Sequence, residues 1–428
     1  MSEAAQATHS SPDGHIPQLR FPEFGKRWDK ETIGGISKIF GRIGYRGYTV
    51  QDIVSKGEGA IALSPSNFIN NQINTIKSTY ISWFKYEESP EIKILDGDIL
   101  FVKTGSTYGK TAFVSNIKEK ATINPQIVVL KNISISNKFL GYIVTTQTIK
   151  KQIEQIVVGG AIPTMSQKEL SKMEFSLPAK PEQQKIAAFL TAVDSKIEQL
   201  SKKKALLGEY KKGLMQQIFS QEIRFKADDG SDFPDWEEKK LGNISNVSKL
   251  AGYEFTKYIK YQDTGSIIAL RGLNIKKNKL DLSVVKFIDN SDFSRLNRSK
   301  LFIDDLMFTY IGTIGEVALI DEDDKYYLAP NVSRIRFNNE VCLPRFAIQY
   351  FNREVFKQGE IKKYVSSSSQ PALTMGNVRL FILNLPTKPE QQKIANFLSS
   401  IDSKIEQVGE QLDKSKQFKK ALLQKMFV

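Results

Sequence analysis

The chain has 428 residues, with 61 Lys and Arg against 47 Asp and Glu, a formal net charge of +14 and a pI near 9.4. That length holds two domains of ordinary size plus connecting helices, and the basic excess favours a polyanionic partner without dictating a fold. The single cysteine, Cys342, excludes an internal disulfide and a thiolate metal cluster; His9 and His15 both lie in a polar leader, which excludes a histidine triad or metal site from the folded body.

Residues 1–18 read as a flexible tail. With no apolar run approaching ~18 residues and no signal-peptide pattern, a cytoplasmic protein without a membrane partner is expected. From Leu19 the chain is written twice. Trp28 recurs as Trp236, PEQQKIA at Pro181–Ala187 recurs at Pro389–Ala395, and DSKIEQ from Asp194 recurs from Asp402, all 208 residues on. The first copy opens with LRFPEFGKRW (Leu19 to Trp28), the second with IRFKADDGSDFPDW (Ile223 to Trp236). Between Trp28 and about Phe175, short apolar runs alternate with turn signals, as in DGDILFVKTG from Asp96 and INPQIVVL from Ile123. IDDLMFTYIG from Ile303 and LAPNVSRIRF from Leu328 answer them, and IAL at Ile61 is matched by IAL at Ile268. The expected fold is α/β (α+β), with homologous globular domains at 19–178 and 223–386, a central helix at 179–222 and a C-terminal helix at 387–428.

Each helical segment starts at a Pro-Glu pair suited to a first helical turn. Leu190, Val193, Ile197, Leu200, Leu207, Leu214 and Ile218 form an apolar stripe interrupted by Lys204 and Lys211. Leu398, Ile401, Ile405, Val408, Leu412, Leu422 and Met426 form another, interrupted by Ser415 and Lys419. This is coiled-coil periodicity, and ~39 residues of helix span about 58 Å. The chain order predicts antiparallel pairing of the two helices, with internal pseudo-two-fold symmetry and a globular domain at each end. Lys211 and Lys419 have two readings: stems covering apolar surface with solvated ammonium groups, or a register-setting polar layer paired with glutamates such as Glu209 or Glu410.

GSTYGKT at Gly105 to Thr111 imitates a phosphate loop but has only Ser106, Thr107 and Tyr108 between its first glycine and GK, where four residues are required. Its counterpart, IGTIGEV from Ile311, carries Glu316 and no lysine, so both read as tight glycine turns between strands. Methyltransferase, helicase and cofactor-loop motifs are not found. For DNA contact the candidates are Arg271, Asn274, Lys276, Lys277 and Lys279 in RGLNIKKNK, and the uncharged Ser64, Asn67, Asn70, Asn71 and Gln72 in SPSNFINNQIN. Arg and Asn suit guanine and adenine edges, whereas Lys mainly holds phosphate. Diverging surface loops would show the same contrast. Lys85 with Tyr86, Lys103, Lys110, Lys362 and Lys363 with Tyr364 are further candidates.

The RFPEF...W and RF...FPDW openings, followed by LP..KPEQQKIA..L...D.KI at Leu177 to Ile197 and Leu385 to Ile405, resemble the specificity (S) subunits of type I restriction-modification systems, over Leu19 to Val428. The resemblance implies two target recognition domains that each read half of a split asymmetric double-stranded DNA sequence, with paired helices as a ruler for the unread spacer. It implies docking by two modification subunits, which use S-adenosylmethionine to methylate adenine, and by restriction subunits for ATP-driven translocation and cleavage; this chain would be non-catalytic and bind no cofactor. A coiled-coil scaffold binding protein or RNA through two globular ends is the alternative, and a self-contained nuclease or methyltransferase is a second. Inserting four residues near Gly208, about one helical turn, is expected to change the preferred spacer or abolish binding while half-site readout persists; unchanged spacing in a methylation-site survey would sink the ruler.

Overall fold

The computed structural model describes residues 16–156, 163–366 and 371–428; residues 1–15 of the expected tail, with both histidines, lie outside them. The chain forms two compact units, 1–201 with 410–428 and 202–409. Two long helices, Lys180–Phe219 and Lys388–Lys425, each contribute to both units. None of the helices in the described residues is long and apolar enough to cross a membrane.

In the first unit a four-stranded sheet joins Ala121–Ile123, Gly59–Leu63, Thr79–Ser82 and Ile53–Val54, in that order. Gly59–Leu63 is buried throughout and runs parallel to Ala121–Ile123, which is why it reads as an unbroken apolar run rather than an alternating one. A six-stranded sheet packs beside it and includes Lys38–Gly41, Ile127–Lys131, Ile99–Val102 and Thr111–Phe113. The second unit repeats the plan: Ile268–Leu270 pairs in parallel with Tyr326–Leu328, and Ser245–Lys249, Val332–Phe337, Leu306–Thr309 and Val317–Leu319 form the larger sheet. Helices Asn137–Ile143 and Gln147–Ile156 replace the strand-like runs expected before Phe175. Gln147–Ile156 buries only Ile149 and Ile153, one turn apart, too short a pattern to stand out in sequence.

The repeated PEQQ motif has a structural job. Glu182 and Glu390, 2% and 0% exposed, receive the guanidinium groups of Arg20 and Arg224 from the two RF openings. Arg20 donates to both Glu182 oxygens at 2.6 and 2.7 Å, Arg224 to those of Glu390 at 3.2 and 2.9 Å. The next residue secures the loop before the helix. Gln183 donates to the Pro178 carbonyl and accepts from the Ser136 amide; Gln391 donates to Pro386 and accepts from Leu343. The acid and the first amide of the motif therefore each have a partner that would be left unsatisfied by substitution.

Within each unit the helix segments run antiparallel. In the second, Ile218 and Phe219 share a core with Ile394, Ala395 and Leu398, and further along Lys211 meets Asp402. In the first, Ile186, Ala187 and Leu190 share a core with Leu422, Met426 and Phe427, and Asp194 meets Lys419. The polar-layer reading of the two lysines holds, but their partners are Asp402 and Asp194 rather than Glu209 or Glu410. An antiparallel pair brings each lysine opposite the DSKIEQ aspartate of the other helix, whereas Glu209 lies two residues from Lys211 on a different face. Cys342 is a core residue whose burial pushes its thiol up to about 12.

Replacing Arg224 with Ala would leave Glu390 buried without its cation. The expected cost lies toward the lower end of the ~3–5 kcal/mol typical of a broken buried pair, because Trp236 still donates to Glu390 at 3.2 Å; urea unfolding followed by tryptophan fluorescence measures it, and an unchanged midpoint would refute the assignment.

Candidate nucleic-acid interface

Two β-hairpins occupy matched positions in the two units. Phe68–Ile69 pairs with Gln72–Ile73, and Ile275–Lys276 pairs with Lys279–Leu280. Their tips are Asn70 and Asn71, with φ of 52° and 63°, and Lys277 and Asn278, with φ of 49° and 67°. Two successive left-handed residues define the tight turn that matches strand twist, and asparagine tolerates that conformation better than most residues. The backbone is thus the same while the tip sequences differ, Ile-Asn-Asn-Gln in one and Lys-Lys-Asn-Lys in the other.

The stems explain two of the expected contacts differently. Asn67 is buried, accepts from the Ser64 amide at 2.9 Å and donates to the carbonyls of Asn74 and Lys77 at 2.9 and 3.1 Å. Asn274 is fully buried, accepts from the Arg271 amide at 3.1 Å and donates to Asp281 and Val284 at 2.9 Å each. Both amides are spent on shaping the loop, so neither is placed to read a base edge. Ser64 caps the same turn, its hydroxyl 2.7 Å from that of Ser66. Arg271 donates to the Val284 carbonyl at 3.0 Å, which leaves its guanidinium half-committed.

The glycine turns also lie beside the hairpins, with positive φ at Gly105, Gly109, Gly312 and Gly315. The residue after each turn anchors the neighbouring hairpin with opposite polarity. Lys110 donates its ammonium to the Phe68 carbonyl at 3.1 Å, whereas the Glu316 carboxylate accepts from the Lys277 amide at 2.8 Å. A Lys for Glu exchange between the copies therefore preserves one role. Asn71 adds a second anchor, donating to the Thr111 hydroxyl at 3.1 Å.

Asn70 and Lys277 remain exposed at the tips, and neither side chain is hydrogen-bonded or ion-paired among the described residues. Lys276 bonds Asp281 at 2.7 Å, and with Ser283 it holds that carboxyl well below the usual range; Lys279 pairs with Glu406 on the second long helix. Lys362 and Lys363 are exposed in a short turn beyond Lys357, which stands 4.0 Å from Glu316, so the structure gathers them near the second glycine turn. Lys103 follows strand Ile99–Val102 beside the first. Lys85 is elsewhere. It follows Thr79–Ser82, antiparallel to Gly59–Leu63, at the opposite end of the sheet from Ser64, and is paired with Glu88 at 3.1 Å.

Sequence inspection missed Tyr45 and Tyr253, 79% and 63% exposed, each preceded by glycine and 208 residues apart. Arg42 anchors the first of these loops to the Ile123 carbonyl at 2.9 Å, at the Leu63 end of the sheet, where Ser64 and the hairpin begin. Aligning the copies by offset would have found this pair. Among the described residues, no group of three His, Cys, Asp or Glu side chains could hold a metal.

The family model for the type I restriction modification DNA specificity domain matches twice, over residues 26–208 and 234–414. The chain belongs to that family. This specificity chain is 25% identical over 343 residues to the type I restriction enzyme MjaVIII specificity subunit of Methanocaldococcus jannaschii, covering 76% of this chain and 78% of the relative. It is 26% identical over 201 residues to the type I restriction enzyme HindI specificity subunit of Haemophilus influenzae, covering 45% and 41%. Its fold matches the crystal structure of the S subunit from M. genitalium with a TM-score of 0.61 at 16% identity, over 96% of this chain and 99% of that one. The two matched domains and the shared fold bear out the recognition of a specificity subunit and its class of mixed α/β domains joined by long helices.

Asn274→Ala should weaken the second unit without exchanging one preferred base for another, since it removes three internal hydrogen bonds at ~1 kcal/mol each. A thermal shift of that unit with an unaltered recognition motif is the expected result; a changed base at one position would restore Asn274 as a reader.

Proposed function

We propose that each globular domain of this specificity chain reads one half of a split, asymmetric double-stranded DNA target, with the hairpin tip as the principal reader. The observation that carries this reading is the pair of hairpins with one backbone and two chemistries. An Asn amide can pair both N6 and N7 of adenine, and exposed Ile69, on the same tip, suits a thymine methyl; lysines suit guanine acceptors and phosphate. Tyr45 and Tyr253, alike in both domains, fit contacts that hold DNA without distinguishing the half-sites.

The chain itself is non-catalytic in this reading. Two modification subunits bearing S-adenosylmethionine methylate the adenines it selects, and restriction subunits use ATP and Mg²⁺ to translocate and cleave; a bivalent reader gains affinity by making the second engagement intramolecular. A protein- or RNA-binding scaffold would instead give sequence-independent binding by the complete assembly.

The deciding experiment co-expresses the chain with its modification subunit and maps methylated adenines across a genome. A split motif, abolished by deleting either domain, is expected; an unsplit or absent motif overturns the proposal. Within that assay, Lys277→Asn should alter only the half-site read by the second domain, with ~1–3 kcal/mol of altered discrimination at the affected base pair. A change in the other half-site, or in neither, removes the hairpin as reader.

A further inference from the structure

Beyond the ion pairs that join the long helices, each unit places one side chain of its globular domain into the same polar layer. In the second unit the Lys211 ammonium, 8% exposed, lies 2.6 and 2.7 Å from the two Asp402 oxygens and 2.9 Å from Gln349 Oε1. Gln349 Nε2 donates back to Asp402 at 3.0 Å, closing a three-membered ring. Lys211 belongs to the first long helix, Asp402 to the second, and Gln349 to the domain helix Pro344–Phe351. In the first unit Lys419 bonds Asp194 at 2.5 Å, and Tyr142, from the domain helix Asn137–Ile143, donates its hydroxyl to the other Asp194 oxygen at 2.9 Å. The Lys419 ammonium also stands 5.5 Å from the centre of the Tyr142 ring. Burial first, and the facing Asp194 carboxylate, push the Tyr142 phenol far above its ordinary value, so it remains a hydrogen-bond donor.

We propose that Gln349 and Tyr142 are positioning residues that fix the angle of each reading domain on the helical frame, and thereby restrict the target to one spacer length. This rests on the split-target reading above. The two residues stand 207 apart in the sequence and occupy equivalent places, yet one is an amide and the other a phenol. Two chemically different groups making one three-way junction point to the junction as the retained feature. Apolar packing between a domain and a helix is non-directional and permits small rotations, whereas charge-assisted hydrogen bonds that converge on one aspartate from two other elements have a narrow satisfied geometry. A rotation at a domain carries its hairpin tip along the duplex, so a loosened junction relaxes spacing before it relaxes base choice.

The test maps methylated adenines for the complete methyltransferase assembly carrying Gln349→Leu, Tyr142→Phe, Lys211→Asp, or the swap of Lys211→Asp with Asp402→Lys. For the first three variants the half-site bases should stay unchanged, while methylation at spacers one base pair longer or shorter rises at least tenfold over the wild type. The swap should recover the single spacer, because the Gln349 amide can turn to serve an inverted pair. A single spacer in Gln349→Leu and Tyr142→Phe overturns the proposal, as does loss of all methylation in a variant whose thermal unfolding matches the wild type. A wild-type map without a split motif would instead defeat the parent reading, which keeps the two failures apart.

Discussion

In each unit one hydrophobic core is completed by the end of a helix written in the other copy. Phe219 closes the first copy in sequence, yet packs edge-on against Trp236, 6.1 Å between ring centres, and against Phe346 and Tyr350 of the second domain. Phe427 closes the second copy and packs 6.4 Å from Trp28 and 5.6 Å from Phe139 in the first. A buried phenylalanine is worth ~1.5–3 kcal/mol, and its aromatic partners add ~0.5–1.5 kcal/mol. Neither domain keeps that contribution unless both helices run their full course.

The other repeated features follow from that constraint. A helix that must deliver its last aromatic to a core of the other domain needs a secured start, which the Arg-Glu pairs and the amides of Gln183 and Gln391 supply. It also needs a fixed register, which the lysine-aspartate contacts supply. Ion pairs of this partly exposed kind give little net stability; a unique alignment is the better attested role for such groups. The frame is costly to alter in one copy alone, and the two copies stayed close in sequence where they form it.

At the hairpins the constraint is on backbone shape only. Left-handed tips need Asn, Gly or a tolerant substitute, and the stem needs one buried amide in the place of Asn67 and Asn274. The outward side chains answer to whatever they meet, so Ile69 and Asn70 in one domain stand where Lys276 and Lys277 stand in the other. Lys110 and Glu316 show how far substitution can go without losing a role, since the hairpin offers a carbonyl to one and an amide to the other.

Much was legible from the chain alone. An exact repeat at a constant spacing implies one fold used twice, and a narrow apolar stripe over some forty residues implies a long helix seeking a partner, because both patterns lie in the order of residues and need no knowledge of the fold. The glycine turns and the identity of the hairpin segments were legible for the same reason, and so was the family. What only the tertiary structure decided was which polar side chains are spent inside. Asn274 and Lys277 are three residues apart, equally polar and equally suited to DNA by type; one is consumed by three backbone groups and the other faces solvent. The partners of Lys211 and Lys419 lie 191 and 225 positions away. Hydrogen-bond satisfaction depends on atoms brought together across the whole chain, and no local pattern in the sequence records it.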